Sequence, residues 1–351
     1  MGVKLGKEIV GRALDKDELK GQAVAIDASN TLMTFINQKY YSRYTKTYTR
    51  PLDKTQRIIS HLYGVFYRTI RLLEHRIMPI YCFDGIPDDR KRLTTKNIYN
   101  DFEMTKKRYV NALDSGNRTK ARSIALGKEF LWRNCIREAR DLLRGMGIPF
   151  INSPTEGEAQ CSQLVKMGVC DATISEDFDV ILYGSNKMIQ LNKLTQRKIE
   201  ANVYAQDDVC KQLKLTRYQL IDLSIIIGND YFNGIPSIGI KTGIKLLRKY
   251  GSLNRIVKRN LIETKNINIL SYISLDEINQ IRKLFLMPEV MNKLPVLELR
   301  YPTTGTIIDL LCSDHNLSPK RVQNGIKRLI KAYKKLNNVQ NRGKQMKLRI
   351  K

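Results

Sequence analysis

Short apolar runs alternate with longer segments of helical periodicity through the first two thirds of the chain, and this alternation limits the fold more than any other feature. QAVAIDA (22–28), IMPIYCFD (77–84), IPFIN (148–152), DATIS (171–175) and MIQLN (188–192) read as buried strands. Between them, SHLYGVFYRTIRLLEHR (60–76) and EFLWRNCIREARDLLRGMG (129–147) repeat apolar residues at three and four places, the period of a helix with one buried face. Such alternation predicts an α/β fold in which helices cover both faces of a mainly parallel central sheet. From 205 onward the pattern is all helical. LIDLSIIIGNDY (220–231) reads as a buried helix ending near Asp230, and GIPSIGIKTGIKLLRKYGSL (234–253) as a glycine-punctuated turn opening a basic helix. Residues 88–128 are highly charged with a weak apolar stripe, which predicts helices standing apart from the main core.

With 351 residues the chain can build one large or two ordinary domains without covalent staples. Sixty-one Lys plus Arg against 34 Asp plus Glu leave a formal charge of +27, which points to a polyanionic partner, nucleic acid first; a solvated basic surface is the bland alternative. No acid follows Asp314, so the end of the chain is strongly basic. Six cysteines stand singly, without a CxxC pair and with only three histidines, which argues for a reducing compartment and against zinc. No apolar run approaches the roughly 18 residues that span a bilayer, and MGVKLGKEIV lacks the apolar stretch of a signal peptide. An intracellular, soluble protein is expected.

In parallel sheets, ligands bind beyond the carboxyl ends of the strands. Three strands finish near an acid here: Asp27, Asp84, and the group Glu176, Asp177 and Asp179. One strand-end aspartate is ordinarily a cap or turn residue, but repetition at several strand ends points to a site. PTEGEAQ (154–160) adds Glu156 and Glu158, and its Thr155-x-x-Glu158 spacing also fits a capping box. Two residues along a helix turn through about 200°, so Glu156 must lie at or before the first turn if both acids are to approach one point. Asp177 and Asp179 share a side only in extended or turning chain. If these acids and Asp230 converge, each close pair repels by about 4 kcal/mol at about 4 Å and an effective dielectric of about 20, and the cluster needs cations. An all-oxygen donor set selects Mg²⁺ or Mn²⁺. Two such ions, roughly 3.5–4 Å apart, can stabilise the attacking and leaving oxygens of phosphodiester hydrolysis. The expectation for PTEGEAQ is that Thr155 caps the helix while Glu158 leaves its reciprocal half of the box unmade.

Around these acids the sequence resembles the flap endonuclease family of structure-specific 5′ nucleases, which includes the xeroderma pigmentosum G nucleases. The resemblance runs through MGVKLG, AIDASN, SHLYGVFYRTIR, PIYCFDG, MGIPFINSPTEGEAQ, SEDFDVILYGS, GNDYFNGIPSIGIKT, LFLMPEV and QNGIKRL, with TEGEAQ and DSGNRTKAR closest to archaeal members. It implies a PIN-like nuclease domain over 1–336. Within it, 1–87 form an N-terminal region, 88–128 a helical arch threaded by a 5′ flap, and 129–204 an internal region. Residues 205–336 become a helical region with a helix-two-turn-helix near 230–250, and 337–351 a basic flexible tail. The implied reaction is cleavage at the junction of a 5′ flap and duplex DNA in replication (Okazaki-fragment maturation) and repair, with 5′–3′ exonuclease activity. An exonuclease or Holliday-junction resolvase on the same scaffold, or an inactive DNA-binding member, are the rivals.

Carried over residue by residue, the resemblance assigns Asp27, Asp84, Glu156 and Glu158 to one metal ion and Asp177, Asp179 and Asp230 to the other. It places Lys91 on the scissile phosphate and implies DNA contacts at Gly2, Arg68, Arg71, Arg92, Glu156, Gly228, Asp230, Gly239 and Lys241, with K⁺ at the helix-two-turn-helix. Met33 stands where the family often has a base-stacking tyrosine, Ile98 where a second arch cation is expected (Lys96 is the nearest substitute), and Ser237 where a turn glycine is frequent. Gln345, Leu348 and Lys351 preserve only a fragment of the sliding-clamp motif, without its aromatic pair, so that motif is not intact. A monomer is expected, cytoplasmic in an archaeon or nuclear in a eukaryote.

Overall fold

The computed structural model describes residues 5, 8–15, 17–42, 46–85, 104–258 and 269–340. Its centre is a seven-stranded sheet of β1 (Arg12–Ala13), β2 (Ala23–Asp27), β5 (Met78–Phe83), β6 (Phe150–Asn152), β7 (Ala172–Ile174), β8 (Lys187–Leu194) and β9 (Ile199–Ala205). The spatial order is β1-β9-β8-β7-β2-β5-β6. β8, β7, β2, β5 and β6 run parallel, while β9 and β1 close one edge antiparallel. β2 pairs with β5 through Asp27↔Cys82 and with β7 through Ile26↔Ile174. Chain order steps outward from β2 to β5 and β6, then crosses back to β7, so the topological switch lies between β2 and β7. All five strands expected from apolar runs are present. β1, β9 and the separate hairpin β3 (Tyr40–Ser42) with β4 (Thr47–Thr49) are additional; KIEANVYA and YTKTYTR carry too many polar residues to stand out as apolar runs.

Val24, Ala25 and Ile26 are fully buried because both sheet faces are covered, which is why AVAI reads as continuous rather than alternating. One face packs against α1 (Ala28–Asn37), α2 (Ser60–Glu74), α5 (Lys128–Gly145), α13 (Thr304–Ile308) and α14 (Pro319–Gln340), with Leu62, Phe66, Ile70 and Leu142 at its centre. The other packs against α6 (Gly157–Lys166) through Cys161 and Leu164. α3 (104–114) and α4 (Arg118–Ala125) form a small separate cluster with Phe130 of α5 around Tyr109 and Ala121, which fits helices apart from the main core for 104–128; residues 88–103 of that charged segment lie outside the described residues. α14 runs through Gln340, past the expected start of the tail at 337. All six cysteines are free thiols.

A second apolar cluster joins α7 (Asp179–Leu182), α8 (Gln206–Leu213), α9 (Arg217–Ile227), α10 (Ile240–Tyr250), α11 (Leu253–Lys258) and α12 (Leu275–Leu286). α9 starts at a complete capping box, Thr216 with Gln219. Its LSIII stretch is apolar all round because neighbouring helices surround it. Within this cluster Asp222 is fully buried and accepts from Arg282 Nε at 2.7 Å and Leu253 N at 2.8 Å. Arg282 also donates to Asn254 and Asn279, and its guanidinium lies 4.7 Å over the Tyr218 ring. Burial pushes the Asp222 carboxyl up, and Arg282 only partly offsets it.

A buried ionic knot ties the two ends of the α2 layer together. His315, which follows the π-helical turn Asp309–Asp314, lies 3.0 Å from Asp53 and 3.3 Å from Glu138 of α5. His61 of α2 reaches the other Glu138 oxygen at 3.0 Å, and Arg57 bonds Asp53 at 2.9 Å. Tyr109 of α3 donates to the Thr55 carbonyl in the same segment. Burial alone would lower His315 and raise Asp53 and Glu138. The mutual hydrogen bonds win, holding His315 above its usual range and both carboxyls below theirs. The carboxylates stabilise the fold above their unfolded values near pH 4 and lose that contribution as pH falls through their depressed folded values. His315 stabilises fully below about pH 6.5 and loses its contribution as pH rises through its raised folded value. Calorimetry of the wild type and His315→Gln is therefore expected to give melting temperatures that differ most between about pH 4.5 and 6.5 and converge as pH rises. A difference that grows toward alkaline pH would contradict a charged His315.

Candidate metal centre

Asp27 is both the last residue of β2 and the N-cap of α1, where one carboxylate oxygen accepts from Asn30 N at 3.1 Å. It is 2% exposed, so its charge leaves water for the end of the sheet. Asp84 follows β5 directly. Its Oδ1 accepts from Gly157 N at 2.7 Å, so the first turn of α6 is capped by a residue from another strand. Gly157 is required by this approach, because a Cβ there would lie 2.8 Å from the Cys82 carbonyl and 2.9 Å from Asp84 Oδ1.

The capping expectation for Thr155 is overturned by the same geometry. Glu156, with extended φ −77° and ψ 133°, is the N-cap, and α6 has no side-chain cap from that position. The Thr155 hydroxyl donates instead to the Glu289 carbonyl at 2.9 Å. Asp84 has taken the cap, which leaves Glu158 free of the reciprocal bond as expected. Glu156 does lie before the first turn, as the 200° argument requires. Its local sequence could not reveal the true cap, since the partner lies 73 residues upstream.

Beyond β7 the chain turns sharply: Asp177 N bonds Ser175 Oγ, and Asp177 Oδ1 accepts from Asp179 N at 3.1 Å at the start of α7. One carboxylate oxygen each from Glu158, Asp177 and Asp179 come within 4.8 Å of one another. Asp27, buried at the end of β2, faces the Glu158 carboxyl. Burial, then the facing carboxylates, push Glu158 well above the ordinary carboxylate range; burial and Asp84 push Asp27 up too. The three strand-end groups and α6 thus meet at the switch between β2 and β7, where open α/β sheets place their ligands.

Asp230 stands outside this group, exposed in the turn after α9, which stops at Gly228 with φ +101°. Ser237 adopts φ +63°, the left-handed region that glycine enters without strain. Gly239 is the N-cap of α10, and Lys241 is exposed in that helix's first turn. Arg68 and Arg71 line a groove of about 1120 Å³ together with Phe35, Tyr41, Tyr63 and Tyr67. The Arg68 guanidinium lies 5.7 Å from the Phe35 ring centroid. Met33 is exposed on α1. Gly2, Lys91 and Arg92, with Lys96, Ile98 and the clamp-like fragment at 345–351, lie outside the described residues. The aromatic lining of the groove was missed from sequence; Tyr63 and Tyr67, four residues apart in the same helical segment as Arg68 and Arg71, were the available signal.

Comparison with known proteins gives these features a lineage. Residues 2–100 match the XPG N-terminal domain model and 147–230 the XPG I-region model. Over 336 residues the chain is 36% identical to flap endonuclease 1 of Saccharolobus solfataricus, covering 93% of each protein. The structure matches flap endonuclease-1 from Methanococcus jannaschii with a TM-score of 0.72 at 27% identity, covering 96% of this chain and 100% of that one. Human GEN1 in complex with Holliday junction DNA shares the fold at a TM-score of 0.68 and 17% identity, over 98% of this chain and 81% of that one. With two family models on the halves that carry the strand-end acids, and a relative matched along nearly its whole length, the chain belongs to the flap endonuclease family of structure-specific 5′ nucleases.

Proposed function

We propose that this protein cuts branched DNA at the junction of a 5′ flap and duplex, leaving a 5′-phosphate and a 3′-hydroxyl, with 5′–3′ exonuclease activity, in replication and repair. The observation that carries the reading is the convergence of Glu158, Asp177 and Asp179, with the buried Asp27 beside them, at the carboxyl edge of the sheet. These oxygens suit hard cations: a set of buried carboxylates that repel one another gains most from divalent charge. Asp27, Asp84, Glu156 and Glu158 would hold one Mg²⁺ and Asp177, Asp179 and Asp230 a second, with Mn²⁺ able to substitute. When bound, such ions supply Lewis-acid charge to the phosphodiester and a water acidic enough to attack it at neutral pH.

The chain's own residues do the rest. Burial and the facing carboxylates favour the protonated forms of Glu158 and Asp27, so apparent metal affinity is expected to fall at low pH. Asp84 keeps one oxygen on Gly157 N and presents the other. Arg68 carries a buried Nε–H with no acceptor among the described residues, on the wall of the groove, which fits a phosphate oxygen. Lys91 is assigned to the scissile phosphate. A Cβ on Gly239 would meet open space, so packing does not demand glycine at the α10 N-terminus; a phosphate approaching those N–H groups, with K⁺ at the turn beside Ser237, gives the residue a reason. We take the protein to act as an intracellular monomer; among the described residues no helix is long and apolar enough to cross a membrane.

End-labelled flap, nicked and four-way DNA with Mg²⁺ separate the readings. One predominant product cut at the flap junction is expected. Flap binding without any product sinks the enzyme reading, and symmetric cutting of four-way junctions as the main reaction would replace it with a resolvase.

A further inference from the structure

Two tyrosines that no metal assignment uses stand beside the carboxylates. Tyr183 closes α7: its N–H bonds the Asp179 carbonyl at 2.8 Å, and its own carbonyl accepts from Lys166 Nζ at 2.6 Å. The hydroxyl of this buried residue makes a 2.8 Å hydrogen bond with the Tyr231 hydroxyl. Tyr231 follows Asp230 in the turn after α9. That turn is fixed on its other side by Asn229, whose Oδ1 accepts from Tyr231 N at 2.9 Å and Phe232 N at 3.0 Å, and whose Nδ2 donates to Ser224 Oγ. Both tyrosine rings pack on Phe285, at 5.0 and 5.7 Å. Ring packing alone needs no hydroxyls.

Asp230 is the one assigned ligand that follows the last strand of the sheet in sequence, and it is exposed in this turn. We propose that the Tyr183–Tyr231 hydroxyl bridge is a positioning device that fastens the Asp230 turn to the helix carrying Asp179, and so holds Asp230 in register for the cation shared with Asp177 and Asp179. The inference rests on the two-ion reading above. Tyr183 and Tyr231 are positioning residues that act through Asp230.

The test is calorimetric titration of Mn²⁺, without DNA, into the wild type, Tyr183→Phe, Tyr231→Phe, the double phenylalanine variant, Asp230→Asn, and Asp230→Asn with Tyr183→Phe. Flap affinity in EDTA and the Mg²⁺ dependence of cleavage are measured alongside. Losing one hydrogen bond is expected to weaken one Mn²⁺ site about 2- to 10-fold and to raise half-saturating Mg²⁺ by the same factor. The second site and flap affinity in EDTA stay unchanged. The double phenylalanine variant should be no worse than either single, and Tyr183→Phe should cost nothing further once Asp230 is Asn. Equal Mn²⁺ affinity in wild type and Tyr183→Phe overturns the bridge alone, as does an undiminished loss in the Asp230→Asn background. A wild type that takes up no Mn²⁺ overturns the two-ion reading, and the bridge with it.

Discussion

Asp179→Asn should bind flap DNA like the wild type and cut it at least about 100-fold more slowly at saturating Mg²⁺, because replacing groups that merely orient metal ligands already costs 10- to 100-fold. The side chain is 3% exposed and its oxygen lies within 4.8 Å of those on Glu158 and Asp177. Removing its charge has a second effect of opposite sign. Glu158 is raised partly by Asp179, so without metal the variant is expected to be more stable than the wild type, on the order of 1 kcal/mol. Mg²⁺ reverses the order: saturation near 100 times Kd stabilises a binding protein by about 2.7 kcal/mol, and the variant loses most of that gain. Melting curves with and without Mg²⁺ should therefore cross. Curves that stay parallel would mean that Asp179 holds no ion.

Arg282→Leu should cost about 3–5 kcal/mol, since it strands the buried Asp222 carboxylate with only Leu253 N as partner. In a chain of this size that is a fall of roughly 4–7 °C in melting temperature. Adding Asp222→Asn should recover most of the loss, because the amide oxygen still accepts from Leu253 N and no charge remains buried. Urea denaturation of the single and double variants measures both. Equal losses in the two would show that packing over Tyr218, rather than charge, is what Arg282 contributes. α9 leads directly into the Asp230 turn, so the single variant should also inactivate sooner on warming.

What was legible in sequence had local causes. AVAID and PIYCFD announce themselves because both faces of a parallel strand are buried, and the acid after each apolar run is visible at once. Spacing also fixed Glu156 before the first turn of α6. The Thr155 cap failed because Asp84, just past a neighbouring strand, takes the Gly157 N–H in that first turn, a contact set up by the β5–β6 pairing. The knot of Asp53, Glu138 and His315 was invisible for the same reason: its members lie up to 262 residues apart. Tyr231 could be seen beside Asp230, but nothing in its surroundings names Tyr183 as its partner. The edge strands β1 and β9 carry enough polar residues to pass for loop.

The order in which the chain leaves the ribosome gives the site a safety property. β2 contributes Asp27 early, but Asp177 and Asp179 arrive some 150 residues later, and β7 must slide in beside β2 rather than beside the strand made just before it. At 5–20 residues per second a nascent chain therefore spends roughly 7–30 s holding half a site. Asp84 bonds α6 only once β5 and that helix are docked, so an unfinished domain has neither the carboxylates nor their orientation. A protein that cuts DNA thus has no assembled carboxylate group before β7 has joined β2.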